Sequence, residues 1–177
     1  MQIAFGYKMG TGKDACVKYL INNYGGEKIY FAKPIYDILY YAQKLCGLNF
    51  EKDRKFLQFV GTNWGREKDP DMWVNIVLKD LPKSENIYCS DVRFLNEFRN
   101  LKNKGWIMIK VNRDNDLINS NRVGTGNNTH VSECELDSLA ESEWDFVLEN
   151  NGSLESLYTK LDCIVRDIKF QKQLNIV

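Results

Sequence analysis

With 177 residues, 44% of them apolar, the chain has the size and hydrophobic content of one globular domain, which excludes an intrinsically disordered one. Its 24 Lys and Arg balance 24 Asp and Glu to a formal net charge of zero. That removes the broad positive field needed to track a nucleic-acid polymer but leaves room for a local basic pocket around one small phosphate. No apolar run approaches the roughly 20 residues that span a bilayer, and the N-terminal stretch has neither the h-region nor the cleavage site of a signal peptide, so a soluble, cytoplasmic protein without a membrane partner is expected.

In chain order, short β-like runs at 2–6, 28–32, 86–90, 106–111 and 145–150 alternate with helical spacing at 12–23, 34–46, 53–64, 70–81, 94–104 and 153–169. That alternation predicts an α/β fold: a three-layer, doubly wound parallel sheet with helices on both faces. The last helix repeats Leu154, Leu157, Leu161, Ile164, Val165 and Ile168 at spacings of three and four behind Ser153 as N-cap, the pattern of a core-packed helix. Residues 112–130, rich in Asn, Asp and Gly, have little to bury and are expected to form a mobile lid. The five cysteines, Cys16, Cys46, Cys89, Cys134 and Cys163, include no C-x-x-C pair and are expected to be buried thiols. His130, the single histidine, cannot build a multi-histidine metal site.

The strongest local motif is the glycine-rich turn from Phe5 to Ala15, which leaves the first strand and opens the first helix. This is the setting of a Walker A loop. Gly10, Thr11, Gly12, Lys13, Asp14, Ala15 and Cys16 would offer backbone N–H groups to phosphate oxygens, and Lys13 would add a cation toward the β- and γ-phosphates. Two positions depart from the usual pattern. Tyr7 stands where the first glycine belongs, and Asp14 replaces the Ser or Thr that meets Mg²⁺. Two unit negative charges 4 Å apart repel by ~4 kcal/mol at an effective dielectric of 20. Asp14 beside a triphosphate therefore calls for a cation between them, Mg²⁺ held directly or through water. Its alternative role is to complement the helix dipole, and the two are compatible.

Further along, an apolar strand ends in Asp91, a Walker-B-like carboxylate at the ligand edge of the sheet, followed by Arg93 as a bidentate phosphate clamp. The segment 54–73 supplies Arg54, Lys55, Arg66, Trp64 and Trp73 around Gly61 and Gly65, combining cations for a phosphate with flat side chains for a base. For Trp73, base stacking and core packing weigh equally; for Phe56 and Phe59 core packing is preferred.

The chain resembles the phage and viral deoxynucleoside monophosphate kinases, a P-loop group related to other nucleoside monophosphate kinases. The resemblance is carried by GTGKD (10–14), FAKPIYD (31–37), FLQFVGTNWGRE (56–67) with DPDMW (69–73), SDVRFLNE (90–97), THVSECELD (129–137) and WDFVLENNGSLESL (144–157). It implies one P-loop kinase domain over 1–177, with an acceptor-binding helical insertion at about 33–80 and the lid at about 112–130. It also implies that ATP and a deoxynucleoside monophosphate are the ligands, with Mg²⁺, and that the protein forms a homodimer. Lys13, Asp91, Arg93 and a lid arginine, Arg122 or Arg113, would be catalytic, with Asp14 and Asp91 near the metal. Lys8, Ile35, Tyr36, Lys55, Gly61, Arg66, Trp73, Asp91, Arg93, Glu97 and Thr129 would line the acceptor site. Relatives commonly carry Lys where Tyr36 stands, so either Lys33 or Lys8 compensates or the acceptor preference differs. His130 and Glu133 fall near the bound nucleotides without a general-base role, because phosphate acceptors are already anionic. A kinase of another phosphorylated acceptor, of the phosphomevalonate or dephospho-coenzyme A type, and a nucleotide switch or ATPase remain as alternatives.

Overall fold

The computed structural model describes residues 1–114, 117 and 134–174. Five parallel strands, β1 (Gln2–Gly6), β2 (Glu27–Ile29), β3 (Ile87–Val92), β4 (Ile107–Asn112) and β5 (Phe146–Glu149), form one sheet in the order β2-β3-β1-β4-β5. Between them lie α1 (Lys13–Tyr24), α2 (Lys33–Leu45), α3 (Arg54–Gln58), a π-helical turn at Phe59–Arg66, α4 (Met72–Lys79), α5 (Leu95–Asn103) and the closing α6 (Leu154–Leu174).

Successive strand residues face opposite sides of a sheet, and here both sides are dry. Ile3 and Phe5 of β1 with Ile109 and Val111 of β4 pack under α1 and α6, against Leu20, Leu157, Leu161 and Val165. Ala4 and Met108 turn the other way, toward Phe98 and Leu101 of α5, Val74 of α4 and Trp144. That is the expected three-layer, doubly wound α/β arrangement. Ser153 caps α6 as expected, its Oγ accepting from the Ser156 amide at 3.2 Å.

Three expectations need correction. The second strand stops at Ile29 instead of running to 32, because the Phe31 and Ala32 amides leave the ladder to donate to Asp91, both at 2.9 Å. Phe59 is 57% exposed: it opens the π-helical turn, where the wider repeat breaks the 3.6-residue spacing on which a core assignment relied. Cys16 and Cys89 are buried, but Cys46, Cys134 and Cys163 are exposed, Cys46 at the end of α2 and Cys163 on α6 outside the stripe that packs. Among the described residues, no helix is long and apolar enough to cross a membrane.

Candidate active site

Strand β1 sits in the middle of the sheet, with β3 on one side and β4 on the other. The chain therefore leaves β1 in one direction and later returns to its opposite flank, which opens a crevice at the carboxyl edge of the strands. A cavity of about 700 Å³ occupies that edge, lined among others by Gly10, Gly12, Lys13, Asp14, Asp91 and Arg93.

The loop from β1 to α1 has the conformation its glycines allow. Gly10 and Gly12 have φ of 83° and 104°, and Tyr7 shares that left-handed region at 94°, a conformation that costs a non-glycine residue roughly 1–2 kcal/mol. The position where the first glycine was missing in the sequence thus keeps the glycine-like backbone, tied down by the Tyr7 amide donating to the Val92 carbonyl at 3.2 Å. Lys13 is nearly buried, and its Nζ donates to the carbonyls of Tyr7, at 2.9 Å, and Lys8. Asn150, 4% exposed, follows β5 and donates from Nδ2 to the Thr11 carbonyl at 2.8 Å. A Cβ at Gly12 would collide with that amide, so the glycine is required by both backbone and packing.

Asp14 Oδ1 accepts from Lys28 Nζ at 2.7 Å and from Ser90 Oγ at 2.8 Å. Burial pushes the Asp14 carboxyl up, but these two donors outweigh it and hold the group below the usual carboxylate range. Asp91 uses both oxygens on the Phe31 and Ala32 amides, which anchors the turn into α2. Glu97 is 2% exposed. Its Oε1 accepts from Arg66 Nη2 at 2.6 Å, and its Oε2 accepts from the Arg93 and Phe94 amides at 2.8 and 3.1 Å. Burial raises its carboxyl to about 7 despite the Arg66 charge. The Cys16 thiol, also raised by burial, to about 12, is no nucleophile at neutral pH.

Of the residues expected from sequence, Gly10, Gly12, Lys13, Asp14, Ile35, Tyr36, Gly61, Arg66, Asp91, Arg93 and Glu97 all line this cavity. Ala15 and Cys16 turn their side chains from α1 into the core, and Cys16, expected to offer its amide to phosphate, instead donates it to the Gly12 carbonyl at 3.1 Å as the first intrahelical bond. Thr11 and Lys8 instead line a smaller cavity of about 310 Å³ with Tyr7, Lys110 and Arg113, and Lys8 is paired with Asp137 at 3.3 Å. Lys55 is exposed and lies outside the cavity; Arg54, its neighbour at the start of α3, lines it instead, since adjacent helical residues point about 100° apart. Trp73 is 1% exposed and its Nε1 donates to the Gly61 carbonyl at 2.8 Å. It belongs to the core with Ile35 and Val60 and has no face left for a base. Lys33 does not compensate for Tyr36, since it pairs with Asp37 at 2.6 Å. The cation beside Tyr36 is Lys52, with Nζ 5.7 Å from the ring centroid. Lys28, Lys52 and Asn150 are residues that sequence reasoning passed over. Arg122, Thr129, His130 and Glu133 lie outside the described residues.

Residues 52–161 match the sequence profile of the deoxynucleotide monophosphate kinase family. A putative deoxynucleotide monophosphate kinase of Acanthamoeba polyphaga mimivirus is 29% identical over 182 residues, covering 86% of this chain and 89% of that protein. The uncharacterized protein ORF77 of Ictalurid herpesvirus 1 (strain Auburn) is 32% identical over 147 residues, covering 78% of this chain; the match spans 60% of the viral protein's length. In three dimensions the chain is similar to the shikimate kinase of Bacteroides thetaiotaomicron, with a TM-score of 0.54 at 13% identity, over 93% of this chain and 97% of the other. A gluconokinase from Sinorhizobium meliloti 1021 gives a TM-score of 0.52 at 11% identity, covering 96% of both chains. These solved structures share the P-loop kinase fold.

Proposed function

The chain belongs to the deoxynucleotide monophosphate kinase family, and from that premise we propose that it transfers the γ-phosphoryl of ATP to the 5′-phosphate of a deoxynucleoside monophosphate, giving ADP and a deoxynucleoside diphosphate. The observation that carries this reading is the single cavity wall on which Gly10, Gly12 and Lys13 meet Asp91, Arg93, Arg54 and Lys52. A polyphosphate donor and an anionic acceptor both need a place, and cations stand on both sides.

In this reading the donor phosphates lie on the loop amides at the N-terminus of α1, where N–H groups directed out of the helix and the helix dipole favour an anion. Lys13 adds the compact charge of an ammonium. Arg93 clamps the acceptor phosphate, with Arg54 and Lys52 further along the wall. Arg66 already holds Glu97 and donates to the Pro70 carbonyl at 3.3 Å, so its part is to keep the start of α5 in place. The single domain, the helical insertion at about 33–80 as the acceptor side, and a lid at about 112–130 belong to the same proposal.

The carboxylates and hydroxyl of Asp14, Asp91 and Ser90 are hard oxygen donors of the kind Mg²⁺ prefers. Among the described residues there is no cluster of three or more His, Cys, Asp or Glu that could hold a metal alone. That fits an ion held by one or two carboxylates together with nucleotide phosphates. Asp14, and Asp91 through water, would hold it, and when bound it supplies charge neutralisation on the transferred group. Otherwise catalysis is positioning and electrostatics, as expected for phosphoryl transfer.

The test is incubation with ATP, Mg²⁺ and, separately, each of the four common deoxynucleoside monophosphates, a hydroxyl acceptor such as shikimate, or no acceptor. ADP together with a deoxynucleoside diphosphate supports the reading. ADP formed without any acceptor, or only with a non-nucleotide, overturns it.

A further inference from the structure

Lys28 lies on β2, two strands away from β1 in the sheet, yet its ammonium reaches Asp14, in the first turn of the helix that follows β1. Both residues line the large cavity, as does Ser90, which donates to the same Asp14 oxygen. The Lys28 ammonium also sits 5.3 Å from the centroid of the Tyr30 ring, another residue of the cavity wall. Stability alone does not account for this arrangement. An ion pair between solvent-accessible partners contributes at most about 1 kcal/mol, and ordering a lysine costs a similar amount of side-chain entropy.

Charge at the cavity does account for it. An uncompensated carboxylate in the position after Lys13 would repel a polyphosphate by ~4 kcal/mol at 4 Å and an effective dielectric of 20. With Lys28 on Oδ1 the Asp14–Lys28 pair is neutral. The ammonium has three N–H donors, so one bond to Asp14 leaves it able to meet a phosphate oxygen. Lys28 reaches from β2 to the start of α1, meeting at Asp14 the Ser90 hydroxyl from β3, on the wall where donor and acceptor phosphates would meet in the proposed reaction.

We propose that Lys28 is a catalytic residue: a built-in cation, positioned by Asp14 and Ser90, that contacts phosphate oxygens at the junction of donor and acceptor. This rests on the kinase reading above.

The experiment compares the wild-type protein with Lys28→Met, which keeps the length of the side chain and removes its charge, and with Lys28→Arg. ATP affinity is measured calorimetrically in EDTA, where no divalent ion can stand in for the ammonium, and turnover is measured with Mg²⁺ and a deoxynucleoside monophosphate. The expected result is ATP binding at least about tenfold weaker in Lys28→Met, from the loss of a charge-assisted hydrogen bond together with the charge that neutralises Asp14. Its kcat should fall about 10²-fold, with Lys28→Arg regaining most of both and all three proteins melting alike. Equal ATP affinity in EDTA for the wild type and Lys28→Met, or a Lys28→Met kcat within about twofold of the wild type, overturns the proposal. If the wild type binds ATP but phosphorylates no deoxynucleoside monophosphate, the kinase reading fails, and the EDTA titration alone decides whether Lys28 contacts phosphate.

Discussion

Half-buried Arg66 and buried Glu97 form an ion pair 31 residues apart in sequence, with Nη2 2.6 Å from Oε1 and the guanidinium carbon 3.6 Å from the centroid of the Phe94 ring. The pair fastens the π-helical turn to the first turn of α5. Removing one partner leaves the other charge buried, so Arg66→Ala should cost about 3–5 kcal/mol. Burial of Glu97 also makes stability depend on pH, with the Arg66 charge only partly opposing it. Burial raises the Glu97 carboxyl to about 7 in the folded protein, against 4.5 for the side chain free in water. Between those values the native state keeps a proton that the unfolded state has released, so stability falls as pH rises from about 4.5 to about 7, by up to ~3 kcal/mol. Denaturant midpoints across pH 4.5 to 8 should show this loss in the wild type and not in Glu97→Gln; parallel profiles for the two would contradict the assignment.

Asn150 ties the end of β5 to the loop between β1 and α1. Asn150→Ala strands the buried Thr11 carbonyl that its amide satisfies, which should cost about 1–3 kcal/mol. Because the stranded group belongs to the loop, ATP affinity should fall as well. Melting curves and ATP titrations check the two effects, and unchanged ATP affinity would show that the loop holds its shape without Asn150.

At Tyr7 the usual order of alanine and glycine should reverse. With φ at 94°, Tyr7→Gly is expected to be more stable than Tyr7→Ala by about 1–2 kcal/mol, because only glycine adopts that backbone without strain. Chemical denaturation of the two variants is the measurement. A more stable alanine variant would mean that the loop has moved to a negative φ.

Trp73 should govern stability and leave base choice untouched. Trp73→Ala is expected to cost about 3–5 kcal/mol. Gly65→Ala, whose Cβ would overlap the Trp73 ring, should cost about 1–3 kcal/mol through overpacking. A conservative Trp73→Phe variant should keep the wild type's ranking of the four common deoxynucleoside monophosphates as acceptors. A reordered ranking by kcat/KM would return the residue to the acceptor site.

What the sequence reading could and could not reach follows from the range of the interactions involved. Strands with dry faces on both sides, such as Ile107–Asn112, are visible because their apolar runs are local. The loop around Gly10, Gly12 and Lys13 is visible because its geometry is written in consecutive residues. The partners of Asp14 were not: Lys28 and Ser90 are 14 and 76 residues away, and nothing in their spacing links them. Asp91 was rightly placed at the strand end, yet its bonds to the Phe31 and Ala32 amides, which cut β2 short, come from about 60 residues away. Helical periodicity also misplaced Phe59, since the π-helical turn changes the repeat within the very segment that carried Trp64 and Trp73. Only the fold separates the exposed Trp64 from the buried Trp73.

The proposed transfer requires Lys13 and its loop to hold ATP while a second anion waits opposite. The most direct measurement is a single-turnover experiment with γ-labelled ATP, Mg²⁺ and a deoxynucleoside monophosphate, run on the wild type and on Lys13→Ala. The label should appear in the deoxynucleoside diphosphate, at least about 10²-fold more slowly in Lys13→Ala, with both proteins folded by circular dichroism. Label released only as inorganic phosphate, or transferred equally fast by the two proteins, would contradict it.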